Sequence, residues 1–152
     1  VTIPSSLGNL DFLEELKLFG NQLYGKIPDS LGNLSPSSFF YMDLSDNQLQ
    51  GKIPESIGNL LAMQVLNLGI NQLSGTIPDS LGNLQLKALG LGYNMLSGSL
   101  PSSIGNISSL ELLYSPNNNL NGTIPSSFGN LVNLVGLILS ENEFVGTIPD
   151  FI

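Results

Sequence analysis

The chain has 152 residues, 41% hydrophobic and only 11% charged, and its 12 acidic side chains against four lysines and no arginine leave a formal charge of -8. That balance disfavours nucleic acid or an anionic membrane surface as a partner. Histidine and cysteine are both absent, which removes Ser-His-Asp and Cys-His nucleophiles, thiolate chemistry, disulfides and nearly all zinc sites, so neither a metal nor a cofactor is expected.

Val1-Thr2-Ile3-Pro4 opens the chain in the middle of a motif that then recurs to its end. From residue 13 an apolar ladder of the form L-x-x-L-x-L-x-x-N-x-L is written six times. It is seen in Leu13, Leu16, Leu18, Asn21 and Leu23, and again in Leu134, Leu137, Leu139, Asn142 and Phe144. The closing asparagines are Asn21, Asn47, Asn71, Asn94, Asn118 and Asn142, spaced by 26, 24, 23, 24 and 24 residues. A period in this range identifies an α/β repeat solenoid, in which each repeat lends its apolar face to its neighbours and the stack shares one continuous core. The chain is therefore read as one domain over residues 1–152, with a partial repeat at 1–12 and six repeats from about 13 to 152.

Within each repeat the leucines of L-x-L point to one side of a strand and the x residues to the other. Six such strands stacked in parallel make a sheet spanning roughly 25 Å. The asparagine that follows cannot fill apolar space, and a buried amide left unpaired costs about 1–3 kcal/mol, so its side chain is expected to bond the backbone of its own turn and of the adjacent coil. Next comes Gly-x-Ile-Pro, as in GKIPDSLGNL at 25–34 and GTIPDSLGNL at 75–84. Because a residue before proline is pushed to extended geometry, each such segment is expected to be a short second strand ending at proline. Proline then suits the first position of a 3₁₀ turn, and the glycine four residues on, such as Gly32 or Gly82, suits its exit.

Two irregularities fall where a coil returns to the main sheet: two extra residues around Ser35, Pro36, Ser37 and Ser38, and one missing near Gln85. Both are expected to bulge or tighten the coil locally without breaking the stack. In the fifth repeat Ser115 replaces the second leucine and Pro116 follows, so that repeat is expected to pack least well.

With the ladder and the Gly-x-Ile-Pro block in place, the sequence resembles the plant-specific class of leucine-rich repeats, whose pattern LxxLxLxxNxLxGxIPxxLGxL is met closely by residues 13–34 and 63–84. The resemblance implies a right-handed superhelix with a parallel sheet on the concave face and short second strands and 3₁₀ turns on the convex side. It also implies a role like that of ectodomains of receptor-like kinases and receptor-like proteins, or of polygalacturonase-inhibiting proteins. Those proteins are extracellular or at the cell surface, and they recognise peptides, steroids, co-receptors or microbial proteins through the exposed x residues. Their usual cysteine-paired caps have no counterpart here. The expectation is therefore an internal part of a longer ectodomain, or a truncated product whose ends need protection.

The exposed strand positions selected as ligand-binding are Glu15, Lys17, Phe19, Tyr41, Asp43, Asn67, Tyr93 and Tyr114. Aromatics supply contact area and carboxylates orient a basic partner, although the same residues also serve simply to solvate a sheet. The group around Tyr41, Asp43, Asn67, Tyr93 and Tyr114 is the preferred patch. Strands of about five residues across six repeats present on the order of 400 Å², half of a standard interface per partner, which points to a short extended peptide or a weakly held protein. N-x-S/T sequons fall at Asn33, Asn106 and Asn121, as many as chance gives in a chain with 17 asparagines.

Catalysis would rest on pairs such as Asp43 with Asp46 or Glu14 with Glu15, for which no pocket is implied, and an enzyme is not expected. Two other readings stay open. One is inhibition of a microbial wall-degrading enzyme; the other is ice binding, through the column of Thr2, Thr76, Thr123 and Thr147 that Lys26, Lys52 and Ser99 interrupt.

Overall fold

The computed structural model describes residues 1–150; Phe151 and Ile152, which complete the sixth repeat of the sequence reading, lie outside the described residues. Every repeat contributes one strand to each of two parallel sheets. The main sheet is built from β1 (Glu15–Lys17), β3 (Tyr41–Asp43), β5 (Val65–Asn67), β7 (Ala88–Gly90), β9 (Leu112–Tyr114) and β11 (Gly136–Ile138), adjacent in that order. The second holds β2 (Tyr24–Gly25), β4 (Gln48–Gly51), β6 (Gln72–Gly75), β8 (Met95–Ser99), β10 (Asn119–Gly122) and β12 (Glu143–Phe144). A row of 3₁₀ helices completes the coils: η1 (Ser5–Asn9), η2 (Asp29–Asn33), η3 (Glu55–Asn59), η4 (Asp79–Asn83), η5 (Ser102–Asn106) and η6 (Ser126–Asn130). In backbone proximity each element neighbours only its equivalents in the adjacent coils, as a one-dimensional stack requires.

Main-sheet register is exact across all six strands, with Leu16, Met42, Leu66, Leu89, Leu113 and Leu137 in one column. From Met42 to Leu113 this column is fully buried and merges with Leu44, Leu68 and Leu91 and with the leucines and isoleucines of the 3₁₀ row into one core. The two extra residues at 35–38 form a turn closed by the Phe39 N–H donating to the Ser35 carbonyl at 3.0 Å, and β3 keeps its register on both sides. The deletion near Gln85 is absorbed likewise, with Leu86 buried and β7 paired to β5 and β9. The main strands are three residues long, shorter than the five expected. Ladder hydrogen bonds nonetheless run on past them, from Phe40 N–H to the Glu14 carbonyl and from Gly20 N–H to the Ser45 carbonyl, so the displayed surface extends over residues 14–20 of each coil.

Three local expectations are corrected. The second strands start before Gly-x-Ile-Pro and stop at or near its glycine, one residue beyond it in β8, instead of running on to the proline, because Gly25, Gly51, Gly75, Gly98, Gly122 and Gly146 lie at φ of 75–90° and turn the chain there. Proline is not the first helical residue: Pro28, at φ -67° and ψ 135°, is the extended residue just before η2, and its carbonyl accepts from the Leu31 N–H to close the first turn. Gly32 and its equivalents do not exit the helix in a left-handed conformation either. They sit inside it against the next coil, where a Cβ on Gly32 would lie 2.3 Å from the Ser56 carbonyl oxygen and one on Gly105 2.4 Å from that of Ser127. The serine at this contact is itself a staple that sequence reading passed over. Ser30, Ser56, Ser80, Ser103 and Ser127 donate their hydroxyls to carbonyls of the preceding coil at 2.7–2.8 Å.

The asparagine column runs alongside. Asn71 donates to the Leu44 carbonyl of the previous coil at 3.0 Å and to its own turn at Leu68 and Gly69, while its Oδ1 accepts from the Leu49 N–H at 2.9 Å. Asn47, Asn94, Asn118 and Asn142 repeat the arrangement, accepting from Leu23, Leu73, Leu96 and Leu120. Asn21 bonds only its own turn, at the Leu18 and Phe19 carbonyls. Replacing Asn71 by alanine strands a backbone N–H and carbonyls between coils and is expected to cost about 2–3 kcal/mol, against well under about 1 kcal/mol for Asn21→Ala, a contrast read from urea unfolding midpoints.

In β9's coil Ser115 is fully buried in the leucine column and its hydroxyl has no partner, while the apolar positions around it, Leu110, Leu113 and Leu120, are as fully buried as in the other inner coils. Ser115→Ala removes the uncompensated hydroxyl and is expected to stabilise the chain by about 1 kcal/mol; a lower thermal midpoint for this variant would contradict the assignment.

Candidate main-sheet recognition surface

The outward face of the main sheet is organised in two register columns. One runs Glu15, Tyr41, Val65, Ala88, Leu112 and Gly136; the other runs Lys17, Asp43, Asn67, Gly90, Tyr114 and Ile138. Six of the eight selected residues thus occupy adjacent positions on one surface because side chains alternate along a strand and the strands stack without slip. Phe19 lies further along the first coil and is well exposed, with its backbone carbonyl held by Asn21. Tyr93 stands at the corner after β7, not on a strand.

Contacts divide the surface into two parts. Beside the first coils, the Lys17 ammonium donates to Glu15 and lies 4.7 Å over the centre of the Tyr41 ring. The hydrogen bond to Glu15 is the chief cause holding the lysine above its ordinary range. Asp43 is occupied on both oxygens: Oδ1 accepts from the Ser45 N–H at 3.0 Å and its hydroxyl at 2.6 Å, and Oδ2 accepts from the Asn67 amide at 3.3 Å. Asn67 in turn accepts from the Gly69 N–H at 3.2 Å. These charged groups are neutralised or tied within the sheet. Asp46, paired with Asp43 in the sequence as a conceivable carboxylate couple, instead sits at a corner with φ 53°.

Further along, small residues on β7 leave a notch of about 190 Å³ lined by Tyr41, Val65, Asn67, Ala88, Gly90, Leu112 and Tyr114. Tyr41, Asn67 and Tyr114 were selected from the sequence; the floor of Ala88 and Gly90 and the walls of Val65 and Leu112 were not. The signal was present as Ala88, Gly90 and Gly92 at alternate positions, but a search for large and charged side chains passes over small ones. Larger hollows of about 710 and 700 Å³ lie on the flanks of the first and last coils, around Val1 to Tyr24 and Phe128 to Leu137, away from these columns.

Tyr114 leans over Gly92, where an added Cβ would come within 3.0 Å of its ring. Its hydroxyl is pushed up from the ordinary tyrosine range, first by desolvation and then by the neighbouring Tyr93 hydroxyl. Tyr93, 48% exposed, belongs to a corner column in which Asp46, Ile70, Tyr93, Asn117 and Glu141 all adopt φ of 53–58°. Asparagine and aspartate tolerate that left-handed geometry, but for the β-branched Ile70, 53% exposed, it is strained by about 1–2 kcal/mol.

The sequons lie off this surface. Asn33 and Asn106 end η2 and η5, and Asn121 is on β10 of the second sheet, all three exposed. Among the described residues no group of three or more acidic side chains is placed to hold a metal ion, and no helix is long and apolar enough to cross a membrane.

A family model described as Leucine Rich Repeat matches residues 12–34, 38–60, 62–84, 85–107 and 109–131. No curated protein matches the chain. Among solved structures it is similar to the plant peptide hormone receptor RGFR1 in complex with RGF2, at 38% identity and a TM-score of 0.96 over 99% of this chain and 24% of that one. It is also similar to the Arabidopsis receptor kinase HAESA in complex with the peptide hormone IDA and the co-receptor SERK1, at 40% identity and 0.91 over 99% and 25%. A plant ice-binding protein aligns at 32% identity and 0.85 over 97% and 47%. The chain therefore spans about a quarter of the length of the two receptor structures.

The raised pKa of Tyr114 has a definite consequence for stability. A tyrosine whose folded value is raised favours the fold in its neutral form below the unfolded value, and that contribution fades as pH climbs through the folded value. Tyr93→Phe removes the neighbouring hydroxyl and is expected to let Tyr114 ionise at lower pH than in the native chain, measured by ultraviolet difference absorbance in alkaline titration.

Proposed function

The chain belongs to the leucine-rich repeat family, and from that membership we propose that it is a non-catalytic recognition module of a plant cell-surface receptor ectodomain, binding an extended peptide across the main sheet. The observation that carries this reading is the in-register face itself, where aromatic and polar side chains from β1 to β9 meet, Lys17 is paired with Glu15 and Asp43 is held by hydrogen bonds from Ser45 and Asn67. Such a surface offers tyrosine rings and an apolar notch for contact. Similarity to structures of receptors bound to peptide hormones supports the ligand class, and the co-receptor in one of them supports a second protein partner for the parent molecule. Location at the cell surface or outside the cell and a part in signalling or defence belong to the same proposal, which the likeness to receptor structures supports.

The limited width of the sheet favours a peptide over a large protein, since even the seven-residue span displayed by each of six coils presents about 550 Å², less than the roughly 800 Å² a standard interface takes from each partner. Inhibition of a wall-degrading enzyme has no counterpart among the similar structures named above. Ice binding draws on one observation, the exposed column of Thr2, Thr76, Ser99, Thr123 and Thr147 and the likeness to the ice-binding protein. Lys26 and Lys52 stand exposed in that column and break its regular hydroxyl spacing.

Selection of a phage-displayed random linear peptide library on the chain, followed by titration of synthetic hits, separates these readings. Tyr114→Ala is expected to lower affinity by about tenfold or more and Lys52→Ala, remote from the main sheet, to leave it unchanged, with no thermal hysteresis from the native chain. Peptides displaced by changes at Lys52 but not at Tyr114 would put the site elsewhere.

A further inference from the structure

The notch over β7 is a specific feature of one repeat, not of the scaffold. In the first register column Ala88 stands between Val65 and Leu112, and in the second Gly90 stands between Asn67 and Tyr114. Gly90 is not there for its backbone freedom, since it is absent from the left-handed positions of the chain. It is there for space: a Cβ would come 2.6 Å from Asn67 Oδ1, whose amide is fixed by Asp43 on one side and the Gly69 N–H on the other. On the opposite wall the Tyr114 ring covers Gly92, which closes that end of the depression. What remains open is a shallow apolar hole with tyrosine rings at two edges and a single fixed amide at a third.

Size and chemistry narrow its occupant. About 190 Å³ exceeds somewhat the roughly 150 Å³ apolar cavity that accepts a benzene molecule, so it admits one ring or branched aliphatic group and little more. No ionised group lines it, and Asp43, in register beside Asn67, already accepts three hydrogen bonds. A charged side chain entering here would lose water without gaining a partner.

Resting on the peptide-recognition reading above, we infer that the Ala88–Gly90 notch is the specificity pocket of this surface and seats one uncharged apolar side chain, no larger than a phenyl group, from the bound peptide. The remainder of that peptide crosses the neighbouring strands, over Tyr41 on one side and over Tyr114 and Tyr93 on the other. Because the small residues belong to a single coil, one anchor position in the peptide is set by this segment and the flanking positions are tolerant.

Ala88→Leu tests this without disturbing the scaffold, since leucine already occupies the equivalent place at Leu112 in the next coil. With peptides selected from the random linear library, the expected result is a fixed apolar residue at one position. Its replacement by alanine should weaken binding to the native chain by about tenfold or more, yet change little in Ala88→Leu, which should itself bind the parent peptide about tenfold or more weaker. Leu112→Ala enlarges the hole and should shift the preferred anchor towards tryptophan. Hits that need Tyr114 but show no fixed apolar residue, or that bind Ala88→Leu as well as the native chain, overturn the pocket while leaving peptide recognition standing. A library that yields no binder sensitive to Tyr114→Ala overturns both.

Discussion

The structure depends on successive coils meeting in strict register, and the asparagine side chain is the interaction that enforces it. Each of Asn47, Asn71, Asn94, Asn118 and Asn142 reaches back to a carbonyl of the preceding coil and accepts an N–H from it, so neighbouring turns are joined by directed bonds and not only by apolar contact. Leucine packing alone tolerates small slips. A carboxamide that must satisfy donor and acceptor in a confined turn does not, because a shift leaves buried polar groups unpaired. The serine staples on the 3₁₀ row and the glycines pressed against them hold the opposite side to the same spacing.

Function follows from that register. When every coil repeats the last, the side chains at two alternate positions of each main strand form straight columns, and any variation among repeats becomes a local relief on an otherwise uniform surface. The relief has a polar part, where Lys17 pairs with Glu15 and Asp43 accepts from Ser45 and Asn67, and an apolar part around the small residues of β7. Strain has been accepted at the edge of this surface, where Ile70 holds a left-handed backbone that glycine, asparagine or aspartate fills more easily at Gly20, Asn117 and Asp46.

The same rigidity explains why defects stay local. Ser115 leaves a buried hydroxyl unpartnered in the core, and the turn at 35–38 carries two additional residues, yet the strands on either side remain paired without a shift. In a stack stabilised by nearest neighbours, an imperfect coil is bracketed by two that hold it.

Period and composition by themselves determined the solenoid, its strand order, the columns of buried leucine and the neighbourhood of the asparagines, because those depend on patterns that recur regardless of what lies across the coil. They also placed Tyr41, Asp43, Asn67 and Tyr114 on a shared face. Only the tertiary structure decided the rest. It ended the second strands near the glycine of Gly-x-Ile-Pro, where the backbone turns, and it gave Gly32 and its equivalents a packing reason in place of a conformational one and revealed the serine staples, since these last two are settled by an atom about 24 residues away. It also showed that Asp43 and Lys17 are already satisfied and that Ala88 and Gly90 open the notch, which depend on distances across strands and on absent side-chain volume that no single repeat, read along the chain, can display.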